Sequence, residues 1–220
     1  MKLSDKIFLI QQYFDEILPN ASCELTYNSD YGFLISVMLS AQCTDKKVNK
    51  VTDVLFEKYK TLEELNNASL ADIENMIKSL GLYKNKAKNI KSITKDLLDK
   101  FNGVVPTSKD DLMSLSGVGN KTSNVVRVEL FKIPEFPVDT HVARVSKRLG
   151  LVKEDDDVLA IEEKLKKEFP KDRWILLHHQ FIHFGRYFCK ALAPKCNECK
   201  LSGFCNYIKN KSKWSFIKDK

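Results

Sequence analysis

Apolar side chains recur every three to four positions along nearly the whole chain, and no convincing stretch alternates apolar with polar. That period belongs to helices laid against a core, so the fold class is all-α. Ile7, Ile10, Phe14 and Ile17 mark a first helix over Lys6 to Ile17, closed by Pro19. Tyr31 to Ser40 is apolar almost all round and is expected to be buried. Thr44 and Asp45 offer capping side chains for a helix running to about Tyr59. Ser69 to Leu80 should stop on Gly81, a C-terminal glycine. Lys84 to Phe101 sets a basic side against Ile90, Ile93, Leu97, Leu98 and Phe101. Two short helices, 107–115 and 121–131, flank Ser116-Gly117-Val118-Gly119-Asn120. Past Pro134 and Pro137 come 140–149, ended by Gly150, then 158–169 and 174–188. In the last of these Trp174, Leu177, Phe181, Phe184 and Phe188 form one stripe, which reads as core. The final stretch, 210–220, is basic and poor in apolar residues, and is expected to be loosely ordered.

The chain has 220 residues and a net charge of +7, with a pI near 9.0. Such a balance favours a polyanionic partner, usually nucleic acid. No apolar run approaches the ~20 residues that a bilayer crossing requires. The N-terminal apolar run, Ile7 to Ile10, is too short for a signal segment, so a cytoplasmic protein is expected, nucleoid-associated if bacterial. In a reducing compartment cysteines serve metals or catalysis more than disulfides. Cys189, Cys196, Cys199 and Cys205 fall close together, whereas Cys23 and Cys43 stand alone.

The hairpin Leu115-Ser116-Gly117-Val118-Gly119-Asn120-Lys121-Thr122 places two glycines between two helices. Glycine tolerates positive φ and lets backbone N–H groups approach a ligand. The second helix then starts with free N–H groups and a positive dipole end, a phosphate site. Gly117, Val118 and Gly119 are therefore candidate contacts to a DNA backbone, held without reading sequence. Lys121 opens that second helix. An ordinary lysine, with a pKa of ~10.4, is neutral in under about one molecule per thousand at pH 7. The dipole disfavours the ammonium by only ~0.3–1 kcal/mol. Helix position alone cannot make a nucleophile, so burial or a nearby base must do the rest. Asp139, in Pro137-Val138-Asp139-Thr140-His141-Val142, stands just before a helix. In isolation it is an N-cap, and capping is compatible with serving as that base.

Four thiolates can hold either a tetrahedral zinc or a [4Fe–4S] cluster. Structural zinc favours two close pairs. Here one close pair, Cys196 and Cys199, is flanked by longer gaps, so iron–sulfur is preferred. His178, His179 and His183 share a helical spacing but lack a carboxylate at zinc-enzyme spacing, and read as structural. Cys43 reads as a small buried filler.

Taken together these pieces resemble the endonuclease III family of helix-hairpin-helix DNA glycosylases. The shared pattern is Leu115-x-Gly117-Val118-Gly119-x-Lys121-Thr122, then Val138-Asp139-Thr140-His141-Val142-x-Arg144-Val145, then His183-x-Gly185-Arg186-x2-Cys189 with the cysteine spacing x6, x2, x5. The resemblance implies two lobes with DNA across the groove between them: a helical barrel domain over 22–132, and a [4Fe–4S] domain from 1–21 with 133–209. It also implies a bifunctional enzyme that removes oxidised or ring-saturated pyrimidines from double-stranded DNA and nicks the abasic site. Lys121 and Asp139 would be catalytic. Leu39 to Asp45 resembles the family loop whose glutamine, here Gln42, fills the space left by an extruded nucleotide. Gly81-Leu82-Tyr83 resembles the loop whose leucine wedges into the stack. The alternatives are a buried polar Gln42 and a Leu82 that merely covers a helix end. Lys190 and Lys195, in a loop pinned by the cluster, would face phosphates, with a redox role as the rival. The protein would act as a monomer, with no membrane. Rival readings are a monofunctional mismatch glycosylase on the same scaffold, or a non-enzymatic DNA-binding module with structural zinc.

Overall fold

The structure, a computed structural model, describes residues 1–215, with side chains through 210. No strand occurs among the described residues, and no described helix is long and apolar enough to cross a membrane. The chain forms two compact units: Cys23–Ile133, and Met1–Ser22, which carries α1 (Leu3–Ile17), with the chain from Pro134 onward.

The middle unit holds α2 (Asp30–Leu39), α3 (Asp45–Lys58), α4 (Leu62–Asn67), α5 (Leu70–Ile77), α6 (Tyr83–Phe101), α7 (Lys109–Ser114) and α8 (Asn120–Phe131). Its axis is α2, buried from Gly32 to Leu39 because its sequence is apolar all round. Helix α8 packs on α2, and α6 lays Ala87, Ile90, Ile93 and Leu97 inward against α4 and α5. Each large apolar side chain buried here contributes about 1.5–3 kcal/mol. The core fixes where the connecting turns emerge.

Three local expectations change. Helix α4 was not anticipated, although Thr61 and Glu64 close a capping box at its start. Thr44 does stand at the N-cap of α3 but makes no side-chain cap bond. Helix α5 ends at Ile77, before Gly81, and Gly81 is not left-handed; the left-handed residue is Leu82, with φ 58°.

The other unit joins α1 to α9 (Thr140–Leu149), α10 (Val158–Glu168), α11 (Trp174–His183) and α12 (Asn206–Ser215). Phe14, Phe136, Phe181 and Phe184 fill its centre, with Phe14 and Phe181 edge to face at 5.1 Å. The stripe expected on 174–188 is indeed core, but the last five residues widen into a π turn, with Cys189 N–H donating to Phe184 carbonyl at 2.6 Å. Gly185 sits in that turn because a Cβ there would lie 2.9 Å from His141 Cβ. Helix α12 packs on α9, Tyr207 lying under the Arg148 guanidinium at 4.1 Å, and its backbone runs into the expected loose tail as far as Ser215; residues 216–220 lie outside the described residues.

Candidate active site

In the middle unit, α7 ends at Leu115, and Val118 N–H donates back to Leu115 carbonyl at 3.1 Å to close the hairpin. Gly117 has φ +76°, and a Cβ there would meet the Asn89 amide at 2.4 Å. Both facts demand glycine. Gly119 differs: it is exposed, nothing lies within 4 Å of where its Cβ would be, and it is the N-cap of α8 with no side-chain cap bond. Val118 is buried and anchors the turn. Lys121 follows as the second residue of α8 and is half-buried.

Sequence reasoning missed what stands near Lys121. Burial pushes the Cys23 thiol up to about 12; the Leu25 N–H opposes, Glu129 and Asp45 raise it further, and Lys121 lowers it. Cys23 therefore gathers a lysine and two carboxylates within electrostatic reach. Cys23 and Asp45 come from segments distant in sequence from α8, which carries both Lys121 and Glu129, and no spacing marks the group.

Gln42 and Leu82 belong to the same unit. Both are exposed, Leu82 by 61%, so neither the buried-amide nor the helix-covering reading holds. Both are non-glycine residues in the left-handed region, at φ 57° and 58°. Such a conformation costs about 1–3 kcal/mol each and is kept where the surroundings impose it. Cys43 is half-buried beside Gln42 and accepts from Lys86 Nζ at 3.3 Å, so it is more than a filler.

In the other unit, Asp139 is the N-cap of α9, its Oδ1 accepting from the N–H groups of His141 and Val142, both at 2.8 Å. Burial, aided by Arg144 and Arg186 and opposed by Asp139, holds His141 below its usual range. Its Nδ1 lies 3.2 Å from an Arg144 guanidinium nitrogen, which can only donate, so Nδ1 is the acceptor and the ring proton sits on Nε2.

All four clustered cysteines line one cavity, whose other walls include Leu149, Phe184 and Phe188. Burial pushes the Cys199 thiol up to about 11, and Cys189, Cys205 and Cys196 each raise it further. Burial also raises Cys189, against the pull of Arg148. Buried thiols that destabilise one another's ionised form suit a ligand set whose metal supplies the missing positive charge. Among the described residues, no three His, Cys, Asp or Glu gather as a single ion requires. Four thiols around one cavity with an apolar lining are a donor set that fits an iron–sulfur group. Around it Arg148 donates to the carbonyls of Lys190, at 2.7 Å, and Ala191, at 3.2 Å, and Arg144 to Gly185 at 2.7 Å. Lys190 and Lys195 are exposed on the loop thus held, Lys195 Nζ at 6.0 Å from the Phe188 ring. His178 and His179 are buried, and His183 meets the Ser22 carbonyl at 2.9 Å, so the three histidines do not converge on a site.

A model of the HhH-GPD superfamily base excision DNA repair protein matches residues 35–171. Endonuclease III of Bacillus subtilis (strain 168) is 45% identical over 203 residues, 92% of this chain and 93% of that one. The solved structure of a trapped endonuclease III–DNA covalent intermediate, an estranged-adenine complex, superposes with a TM-score of 0.92 at 47% identity, covering 96% of this chain and all of that one. A thermostable thymine-DNA glycosylase superposes with a TM-score of 0.83 at 23% identity, over 94% of this chain and 98% of that one, a likeness of fold alone.

Proposed function

The chain belongs to the HhH-GPD superfamily of base excision DNA repair proteins, within it to the endonuclease III family, and from that premise we propose that it is a bifunctional DNA glycosylase and AP lyase. Its substrate is double-stranded DNA carrying an oxidised or ring-saturated pyrimidine, or the abasic site left by its removal, and it works as a cytoplasmic enzyme at the nucleoid. The observation that carries this reading is Lys121, one residue inside a helix whose cap is an open glycine, in a protein so similar to one captured covalently on DNA.

The N–H groups at the start of α8 grip a phosphate, as an uncapped helix N-terminus does. The damaged nucleotide is extruded, and Gln42 and Leu82 enter the vacated stack, offsetting part of the few kcal/mol that extrusion costs. Asp139, fixed by its two backbone bonds, accepts a proton from Lys121. The neutral Nζ attacks C1′; the base leaves with the electrons of the glycosidic bond and takes up the proton held by Asp139, which restores the carboxylate. The carboxylate stabilises positive charge on the sugar. The iminium that forms as the ring opens acidifies C2′, and loss of that proton expels the 3′ phosphate, breaking the strand. Cys189, Cys196, Cys199 and Cys205 would hold a [4Fe–4S] cluster, which when bound supplies a rigid pin for the loop bearing Lys190 and Lys195.

Duplexes with one defined lesion, incubated with and without borohydride, test the proposal. Wild-type protein should cut the lesion strand and become covalently attached on reduction, and Lys121→Gln should do neither. Base release without a cut would make it monofunctional. The purified protein should be yellow-brown, and a colourless protein with one zinc would remove the cluster from the account.

A further inference from the structure

The first turn of α6 contains a buried charge that neither the core nor the chemistry above uses. Lys86 is 4% exposed. Burying an ammonium is costly unless every donor is well placed. A cation in the first turn also opposes the helix dipole. Helix stability therefore does not explain it. Its hydrogen bonds do. Lys86 Nζ donates to the carbonyl of Ala41 at 2.8 Å and to Cys43 Sγ at 3.3 Å, the two neighbours of Gln42. Its backbone N–H donates to the carbonyl of Leu82 at 3.0 Å. Of the four exposed, left-handed non-glycine positions in the middle unit, two are thus linked through Lys86: its side chain holds both neighbours of Gln42 to the first turn of α6, and Leu82 is the N-cap of that same turn, joined to it by the helix's own first backbone bond.

We infer that Lys86 is a positioning residue that holds the Gln42 and Leu82 turns in fixed relation, so that the amide and the apolar wedge enter the duplex as one preformed unit. The inference rests on the roles proposed above for those two residues. Neither partner on the Gln42 side is a carboxylate, so the ammonium is held by a carbonyl dipole and a thiol. Without it, Gln42 would have to find its unfavourable backbone conformation during binding, and the ordering cost would fall on the DNA complex. Cys43 has a part in this, as the second acceptor on the far side of Gln42.

The test is a mutant cycle of wild type, Lys86→Met, Gln42→Ala and the double variant, read as single-turnover excision and as affinity on a duplex with a paired lesion. Methionine keeps the apolar stem and removes the donors. Loss of hydrogen bonds from a charged group predicts a fall of about tenfold or more for Lys86→Met. In the Gln42→Ala background the same change should cost less than about threefold, because the residue it positions is gone. Equal losses in both backgrounds would make Lys86 merely structural, and no loss in either would remove it from the mechanism; both overturn the inference. Should Lys86→Met fail to fold by circular dichroism, Lys86→Gln, whose amide can still donate to Ala41, carries the same cycle with a smaller loss. A wild-type protein that excises nothing would instead overturn the proposed function and is told apart by that control.

Discussion

Gly119 and Asp139 both stand at the start of a helix with nearly the same backbone, φ −100° and ψ −174° against φ −103° and ψ −175°. Their side chains solve the shared problem of unpaired N–H groups in opposite ways. Asp139 fills its own helix start, donating nothing and accepting from His141 and Val142. Gly119 offers no side-chain acceptor, and the space where a side chain would stand is empty. The self-capped helix fixes a carboxylate in one orientation. On the proposed function, the helix start without a side-chain cap meets an acceptor that the DNA brings, with Lys121 beside it, and one geometry serves a positioned base in one case and an anion site in the other.

Breaking the contrast on the Asp139 side should have the largest effect. Asparagine caps as well as aspartate, so Asp139→Asn should leave stability within about 0.5 kcal/mol while base excision falls by about a hundredfold or more, as removal of a general base does. Denaturant unfolding and single-turnover kinetics on one preparation would separate the two roles. Next comes Gly119→Asp, which copies the α9 start onto α8. DNA affinity should fall by about tenfold or more, since a charge-assisted contact is lost and a like charge faces the phosphate. Thermal stability should hold or rise by a few tenths of a kcal/mol. Unchanged affinity in a titration would show that the phosphate binds elsewhere.

Gly117→Ala probes the turn before the cap. With φ +76° and Asn89 2.4 Å from the new Cβ, it should destabilise the fold by about 1–2 kcal/mol, read from the denaturant midpoint. The smallest effect belongs to His141. Burial, with Arg144 and Arg186, lowers its pKa from 6.5 in the fold. The unfolded chain therefore takes up a proton near pH 6.5 that the folded chain refuses until lower pH. Stability present above 6.5 is lost as pH falls through the interval below it. His141→Gln should flatten that part of the stability profile in paired unfolding curves above and below pH 6.5.

Helices with a long, regular apolar face were legible because burial imposes a 3.6-residue period on sequence. α6 and α9 fall where that period places them. α4 escaped because six residues carry too little periodicity, and only its Thr61–Glu64 capping box could have announced it. Gly81 misled for a different reason. Glycine permits a left-handed stop but does not compel one, and tertiary restraint put that conformation on Leu82 instead. The hairpin motif showed where Lys121 begins its helix. The approach of Cys23 to within electrostatic reach of Lys121, and the brace of Lys86 under Gln42, depend on packing between distant segments that no local pattern records.

The central claim is that Lys121 Nζ, and not another of the chain's 36 basic side chains, forms the bond to DNA. Reduction with borohydride during turnover, proteolysis of the isolated adduct and mass spectrometry of the DNA-bearing peptide test it directly. The account predicts a single modified peptide with the sugar on Lys121. A peptide modified at any other lysine, or at the N-terminal amine, would contradict it.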